Sequence, residues 1–400
     1  MLRRLPTSRL IALLAAVVAM LAGGAALAMA ALGGGGPTPP PKPLAQALHD
    51  AASGPAVQGV TARITFTNHL IDSSSLPNGS NPLLSGATGR LWASNDGRVR
   101  LELQSASGDA QVLSDGKTVT VFDGTSNTEY RIVLPQDTGT KDTNKTDGGV
   151  PSMAKIQQFL DQLAQSADVS GATPGDIAGR PVYTTRISPK HDGGLVGAAE
   201  LAFDAANGVP LRAAVYAAGN PDPVLQLEAT NISFGPVSAS DLDVASPTGA
   251  KVTTIDLGSA AKDHGTTGTD PSGAKDAPAD PKQVAAQLPF ALSAPATLVG
   301  LPRHDVRAVD MGGEKGALVT YGAGLGGIAV LEQAAKPADT TAGSSDHQQL
   351  ALPKVSIGGT SGQELATALG TLVRFERGGV QYTIIGSVPP AAAEAAARAL

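Results

Sequence analysis

Between residues 60 and 133 the chain repeats one pattern: short runs of alternating apolar and polar side chains, separated by turn formers. The runs are residues 60–66, 89–93, 98–103, 111–114, 118–122 and 129–133. A period of two puts successive side chains on opposite faces of an extended strand, so each run predicts a strand with one apolar and one polar face. Asp115-Gly116 and Asp123-Gly124 fall between consecutive runs, and Asp-Gly suits the tight turns that join antiparallel strands. The pattern resumes at 181–187, 198–204, 211–216, 224–228 and 230–234. Residues 43–52 have helical spacing, and Ser152 can cap a helix to Ala164 that carries Met153, Ile156, Phe159, Leu160 and Leu163 on one face. The expectation is a large antiparallel sheet with two helices, its apolar faces lining either a packed core or a cavity.

A chain of 400 residues is longer than one core usually needs. Residues 258–282 are poor in large apolar side chains and rich in Gly, Asp, Thr and Pro, the composition of a flexible linker. Beyond it, strand patterns at 305–309, 316–321, 327–331, 354–357, 372–376 and 380–385, with an alanine-rich helix from residue 390, predict a second, smaller α+β unit. Polar loops are expected at 136–149 and 336–349. Hydrophobic residues make up 42% of the chain and aromatics only 3%, so both cores must be built from Val, Leu, Ile and Ala.

At the N-terminus Arg3, Arg4 and Arg9 precede an apolar run, residues 10–32. Basic residues before an apolar stretch are what export requires. Two Ala-x-Ala sequences, at 26–28 and 28–30, offer cleavage sites, yet the run matches the ~20 residues that span a bilayer. Residues 1–36 are therefore either a signal peptide or a membrane anchor, and 37–43 read as a Pro/Gly spacer ahead of a first domain at 44–257, the 258–282 linker and a second domain at 283–400. The expected location is the extracytoplasmic side of the cytoplasmic membrane, anchored or secreted. A net charge of −6 with no basic stripe argues against nucleic acid as a partner. The chain has no cysteine, which excludes disulfides, thiolate chemistry, Cys-bound zinc, iron–sulfur clusters and a lipobox.

The order of several short pieces resembles a known family. Gly89-Arg90-Leu91-Trp92, then Arg98-Val99-Arg100, then Ser114-Asp115-Gly116-Lys117 inside 112–122, is similar to the outer-membrane lipoprotein carrier proteins, the LolA-like family. Ala178-Gly179-Arg180-Pro181-Val182-Tyr183, Ser188-Pro189-Lys190 and residues 203–212 look more like the periplasmic sigma-factor regulators of the RseB/MucB type. Leu288-Pro289-Phe290, Val319-Thr320-Tyr321-Gly322 and residues 379–389 resemble a small domain that follows LolA-like domains. The resemblance implies a strongly curved, unclosed antiparallel half-barrel covered by helices, whose apolar concave face shelters acyl chains. Phe66, Leu91, Trp92, Arg98, Arg100, Leu101 and Val121 are the residues expected to bind ligand. Where the carriers place a basic residue and a proline after Leu-Trp, this chain has Ser94-Asn95-Asp96-Gly97, which puts the transfer of cargo in doubt. The partners implied are a lipid or lipoprotein acyl chain, the cytoplasmic membrane and, for a regulator, a membrane-anchored protein such as an anti-sigma factor.

Trp92 fits either packing on the sheet or contact with an acyl chain, and Arg98 and Arg100 either a solvated face or a headgroup at the cavity mouth. Gly322-Ala323-Gly324-Leu325-Gly326-Gly327 matches G-x-G-x-x-G, but Ile328-Ala329-Val330-Leu331 after it reads as a strand, so a glycine-rich hairpin is expected rather than a cofactor loop. The six histidines are scattered without ligand spacing. Asp241-Leu242-Asp243 reads as a solvated strand end, and no nucleophile elbow, Walker loop or zincin motif is present. The expectation is a non-enzymatic protein without cofactor or metal.

Overall fold

The computed structural model describes residues 38–71, 82–124, 126–134, 151–190, 194–256, 280–311, 314–335 and 353–400. The N-terminal apolar run, the 136–149 and 336–349 loops and most of the 258–282 linker lie outside the described residues. Among the described residues no helix is long and apolar enough to cross a membrane. The chain divides into two compact units, residues 1–190 with 197–259 and residues 260–400 with the short segment 191–196.

The first unit runs α1 (Leu44–Ser53), β1 (Gly59–Asn68), α2 (Pro82–Ser85), β2 (Ala87–Ser94), β3 (Val99–Ser105), β4 (Gly108–Ser114), β5 (Thr118–Asp123) and β6 (Thr128–Val133). It continues with α3 (Met153–Leu163), β7 (Ala167–Val169), β8 (Thr173–Ile177), β9 (Arg180–Pro189), β10 (Val196–Asp204), β11 (Pro210–Ala217), β12 (Pro223–Phe234), α4 (Ala239–Leu242) and β13 (Lys251–Asp256). One sheet joins the strands in the order β13-β6-β5-β4-β3-β2-β1-β12-β11-β10-β9-β7, with β8 beside β9. Its end strands do not meet, so the sheet is a strongly curved, unclosed half-barrel. β13 lies parallel to β6, a departure from the wholly antiparallel sheet expected. The runs 224–228 and 230–234 prove to be one strand, β12, with a bulge at Thr230 where it meets β1.

Alternation decides what is buried. Val60, Ala62 and Ile64 of β1 share one cluster with Leu91 of β2, Leu101 of β3, Val112 of β4, Val119 of β5, Val182 of β9 and Leu211 of β11. A single apolar face therefore continues across the curl. Gly89 permits the curl locally, because a Cβ there would sit 1.8 Å from the Glu102 carbonyl oxygen. The β4–β5 turn follows its sequence chemistry: Asp115 Oδ1 accepts from the Lys117 and Thr118 amides at 2.8 and 2.7 Å, and Gly116 takes φ +80°.

At β9 and β10 both sides are buried. Val182 and Ala202 belong to the main cluster, whereas their neighbours Tyr183 and Phe203 pack with Leu44, Ala47 and Ala51 of α1. Residues 38–43, expected as a spacer, are instead fastened to this unit. Tyr183 Oη donates to the Pro40 carbonyl at 2.7 Å, Lys42 bridges to Ala172 in the backbone, and its ammonium pairs with Asp50 at 2.7 Å. A tyrosine buried on a sheet needs a hydrogen-bond acceptor, and Pro40 supplies one.

The second unit contains α5 (Pro281–Ala285), β14 (Thr297–Leu298), β15 (Leu301–Met311), β16 (Glu314–Tyr321), β17 (Ile328–Ala334), β18 (Lys354–Ile357), β19 (Thr360–Thr367), β20 (Gly370–Arg377), β21 (Val380–Gly386) and α6 (Pro390–Ala399). Asp280 caps α5 through the Lys282 amide, so the first residues of this helix fall within the stretch expected as linker. The sheet order is β14-β15-β16-β17-β21-β20-β19-β18. α6 lies against β20 and β21 on its fully buried Ala393, Ala396 and Ala397.

Glu332 of β17 stands out in this core. It is fully buried, its Oε2 accepts from the Ser293 amide at 2.9 Å, and its Oε1 has no partner among the described residues. Burial pushes its carboxyl up from 4.5 to about 7, against the Ser293 hydrogen bond, which pulls it down. Burial likewise raises the Tyr321 phenol to about 12 and also raises that of Tyr382, in both cases with help from the Glu332 charge.

Two predictions follow from these features. Gly89→Ala forces β2 away from β3 and lowers stability by about 2–3 kcal/mol in urea titration, the upper range for overpacking. For Glu332, the unfolded state ionises from pH 4.5 upward while the folded state stays protonated to about pH 7, so stability is full below 4.5 and falls across that window. The loss is roughly 3 kcal/mol for a shift of this size. In thermal melts of the second unit, Glu332→Gln gains on the native chain between pH 4.5 and 7, the difference levelling off above.

Candidate ligand-binding face

The β-register sorts the seven residues expected to bind ligand. Leu91 lies opposite Ala62 on one side and Leu101 on the other, Leu101 opposite Val112, and Val112 opposite Val121. Phe66 lies opposite Ala87, two pairs along the same face. Leu91 and Leu101 are each 3% exposed at the centre of the face, and Phe66 and Val121 are half-buried at its rim. These four come together.

Trp92 and Arg100 do not join them. Each follows a buried-face residue in an extended strand, so each points to the outer face of the sheet. There they lie opposite one another, with the Arg100 guanidinium 5.0 Å from the Trp92 ring centroid. Arg100 also pairs with Glu102 and donates to the Asp241 carbonyl of α4 at 2.9 Å. Arg98 sits in the β2–β3 turn, bound to Asp96 at 2.8 Å and to both carboxylate oxygens of Asp243 at 3.0 and 3.1 Å. The seven thus do not gather around one cavity: the two arginines staple α4 and Asp243 to the outer face, with Trp92 beside Arg100. Ser94 and Arg98 hold the Asp96 carboxyl below its usual range, chiefly through the Ser94 hydroxyl. Asp241 and Asp243 belong to this staple rather than to a solvated strand end.

The apolar face is nearly closed. The void between Val60, Ala62, Ile64, Leu91, Leu211 and Leu227 measures about 10 Å³, room for one water molecule. Its rim holds Ile132, Ile232 and Phe234, all half-buried. The sequence reading did not assign these rim positions, although the alternation in 129–133 and 230–234 marks them. An open groove of about 440 Å³ lies at the Phe66 end, with Asn68, His69, Thr88 and Gln104 among its lining residues.

The remaining motifs settle into structure. Gly322–Gly327 forms the turn between β16 and β17, a strand pair in antiparallel register, with Gly322 and Gly324 at φ +70° and +68°. His49 Nδ1 lies 3.1 Å from the Pro151 carbonyl. Among the described residues no group of three His, Asp or Glu side chains is placed to hold a metal ion.

No family model and no curated protein matches the chain. Solved structures do. The crystal structure of MucB in complex with MucA(peri) is 16% identical, with a TM-score of 0.39, over 88% of this chain and 94% of that one. The Pseudomonas aeruginosa MucA/MucB complex is 17% identical with the same TM-score and coverage. A LolA-superfamily protein from Nitrosomonas europaea is 11% identical over 51% of this chain and 98% of its own, with a TM-score of 0.22. The chain resembles the LolA/RseB-like proteins. Its similarity to MucB extends over both units, and that to the LolA-superfamily protein over about half the chain.

Trp92 is the one tryptophan of the chain, so its emission reports on the outer face. Arg100→Ala uncovers the ring and shifts the emission maximum to the red, whereas Leu101→Ala on the opposite face leaves the maximum in place and costs 2–5 kcal/mol of stability, roughly the usual loss for a buried leucine.

Proposed function

We propose that the first unit is an extracytoplasmic, non-catalytic binding module that takes up a lipid or lipoprotein acyl chain on the apolar face of its curled sheet. The observation that carries this reading is the rim. Phe66, Val121, Ile132, Ile232 and Phe234 are only half-buried although they are continuous with the fully buried cluster, so apolar surface is left where a closed core would leave none. Binding proceeds by burial of methylenes at ~0.8 kcal/mol each. A void of about 10 Å³ holds no chain; the rim side chains must swing outward, and the unclosed sheet leaves them the freedom to do so. Export by the N-terminal segment puts the module on the side of the membrane where such ligands are exposed.

The test is native mass spectrometry of the full chain taken from envelope fractions without detergent. Near-stoichiometric acyl lipid is expected. Val121→Asp and Ile232→Asp, both at the half-buried rim where a charge is tolerated, reduce occupancy at least tenfold while leaving the melting curve near that of the native chain. A native chain that emerges free of lipid sinks the proposal.

A second reading, a regulatory module that docks on the extracytoplasmic segment of a membrane protein, is favoured by α3. This helix buries Ile156 alone and leaves Met153 and Phe159 exposed at 40% and 54%, large apolar surface of the kind a partner covers. A photo-crosslinking amino acid at position 159 captures one membrane protein if this reading holds, and lipid alone if only the first does.

A further inference from the structure

On the outer face of the first unit, away from the apolar rim, Arg63 of β1 stands directly opposite Arg90 of β2. Both alternate with buried residues, Ala62 and Ile64 in one strand and Leu91 in the other, and both are exposed. Like charges directly opposite on a sheet face repel. Other arginines of this face answer to carboxylates: Arg100 pairs with Glu102, and Arg212 with Glu200 and, at 3.9 Å, with Glu228. The guanidinium groups of Arg63 and Arg90 have no ion pair and no hydrogen bond among the described residues. Glu102, opposite Arg90, is engaged by Arg100, and Glu228 lies opposite Thr65, two residues from Arg63.

The strand on the other flank adds a second, independent feature. Asn231 of β12 lies opposite Arg63, beside the bulge in which Thr230 is the extra residue. Bulges re-aim side chains and are enriched next to functional sites. Thr230 and Asn231 are both exposed there, and the Asn231 amide is unengaged among the described residues. Asn231, Arg63 and Arg90 thus form a row of donors across three adjacent strands.

We propose that this row is a binding site for a phosphate group. Guanidinium forks match the oxygens of phosphate in bidentate fashion, and the amide of Asn231 supplies a further neutral donor. The site is local. The chain carries a net charge of −6, so no general attraction to anions brings the ligand in, and the exposed row includes no large apolar side chain to insert into a bilayer. The phosphate reaches it either on a lipid headgroup at the membrane surface or on a soluble molecule.

The experiment uses the full chain and two probes. Inorganic phosphate is titrated while the side-chain resonances of Arg63, Arg90 and Asn231 are followed by NMR, and sedimentation is measured with phosphatidylglycerol vesicles against phosphatidylcholine vesicles. Saturable shifts at all three residues are expected, with affinity falling at least tenfold in R63Q/R90Q and unchanged in R398Q, which removes an exposed arginine elsewhere. R63K/R90K retains the charge but not the forks and binds severalfold more weakly than the native chain. Sedimentation with phosphatidylglycerol that R63Q/R90Q abolishes assigns the phosphate to a lipid; phosphate binding without sedimentation assigns it to a soluble ligand. Absence of binding to both probes, or equal loss in R63Q/R90Q and R398Q, overturns the site. All substituted positions are exposed, and an unchanged melting curve separates a lost site from a lost fold.

Discussion

The pairing of β1 with β12 holds the first unit together. β1 is the first strand among the described residues and β12 nearly the last of the sheet, and on either side of the seam lie two meanders, β2 to β6 and β9 to β11. Each meander alone has an apolar face too short to bury itself. Joined in register, with Ala62 opposite Ile232 and Phe66 opposite Leu227, they make one face that curls enough for its own side chains to fill. The seam also carries the bulge at Thr230, close to the arginine row on the outer face.

The two faces divide the chemistry. The inner face is apolar over most of its buried part, which suits it to hydrocarbon, with the buried Asp204 paired to Arg180 at 2.7 Å beside Phe234. The outer face is woven from guanidinium and carboxylate groups, most of them mutually satisfied, and exposed ion pairs of this kind add little stability. Their effect is to hold α4 against the outer face and to leave Arg63 and Arg90 without a carboxylate of their own. The second unit follows a different rule. It buries one carboxyl group, Glu332, with a single hydrogen bond, and so gives up stability near neutral pH that a neutral side chain would keep.

Much of this was legible in the residues. Parity along each run puts Phe66, Leu91, Leu101 and Val121 on the apolar side of their strands, and the Asp-Gly pairs located two hairpins. The same parity separates Leu91 from Trp92, and grouping them around one cavity gave weight to residue type over position. β12 was divided in two because Ala229 and Thr230 interrupt the alternation, which is the mark of a bulge and not of a turn. β19 escaped notice because Thr360–Thr367 carries Gly, Gln and Glu on a sheet whose outer side is solvated. β13 has no hairpin turn to announce it, since it joins its neighbour in parallel from far along the chain. No periodicity tells whether an apolar face encloses space; that depends on how tightly the curl draws opposing side chains together, and here it leaves room for about one water.

β13 also determines where the first unit ends. A fragment stopping after α4 would retain the rim, the arginine row and Trp92, but it would strip the cover from β6, Thr128–Val133, whose unpaired amides and carbonyls would then form a bare margin of the sheet. Such a margin recruits the nearest extended chain, and in a concentrated preparation that is another copy of the same fragment. β13 pairs with β6 along its whole length, from Lys251 opposite Thr128 to Asp256 opposite Val133, and so keeps that margin covered.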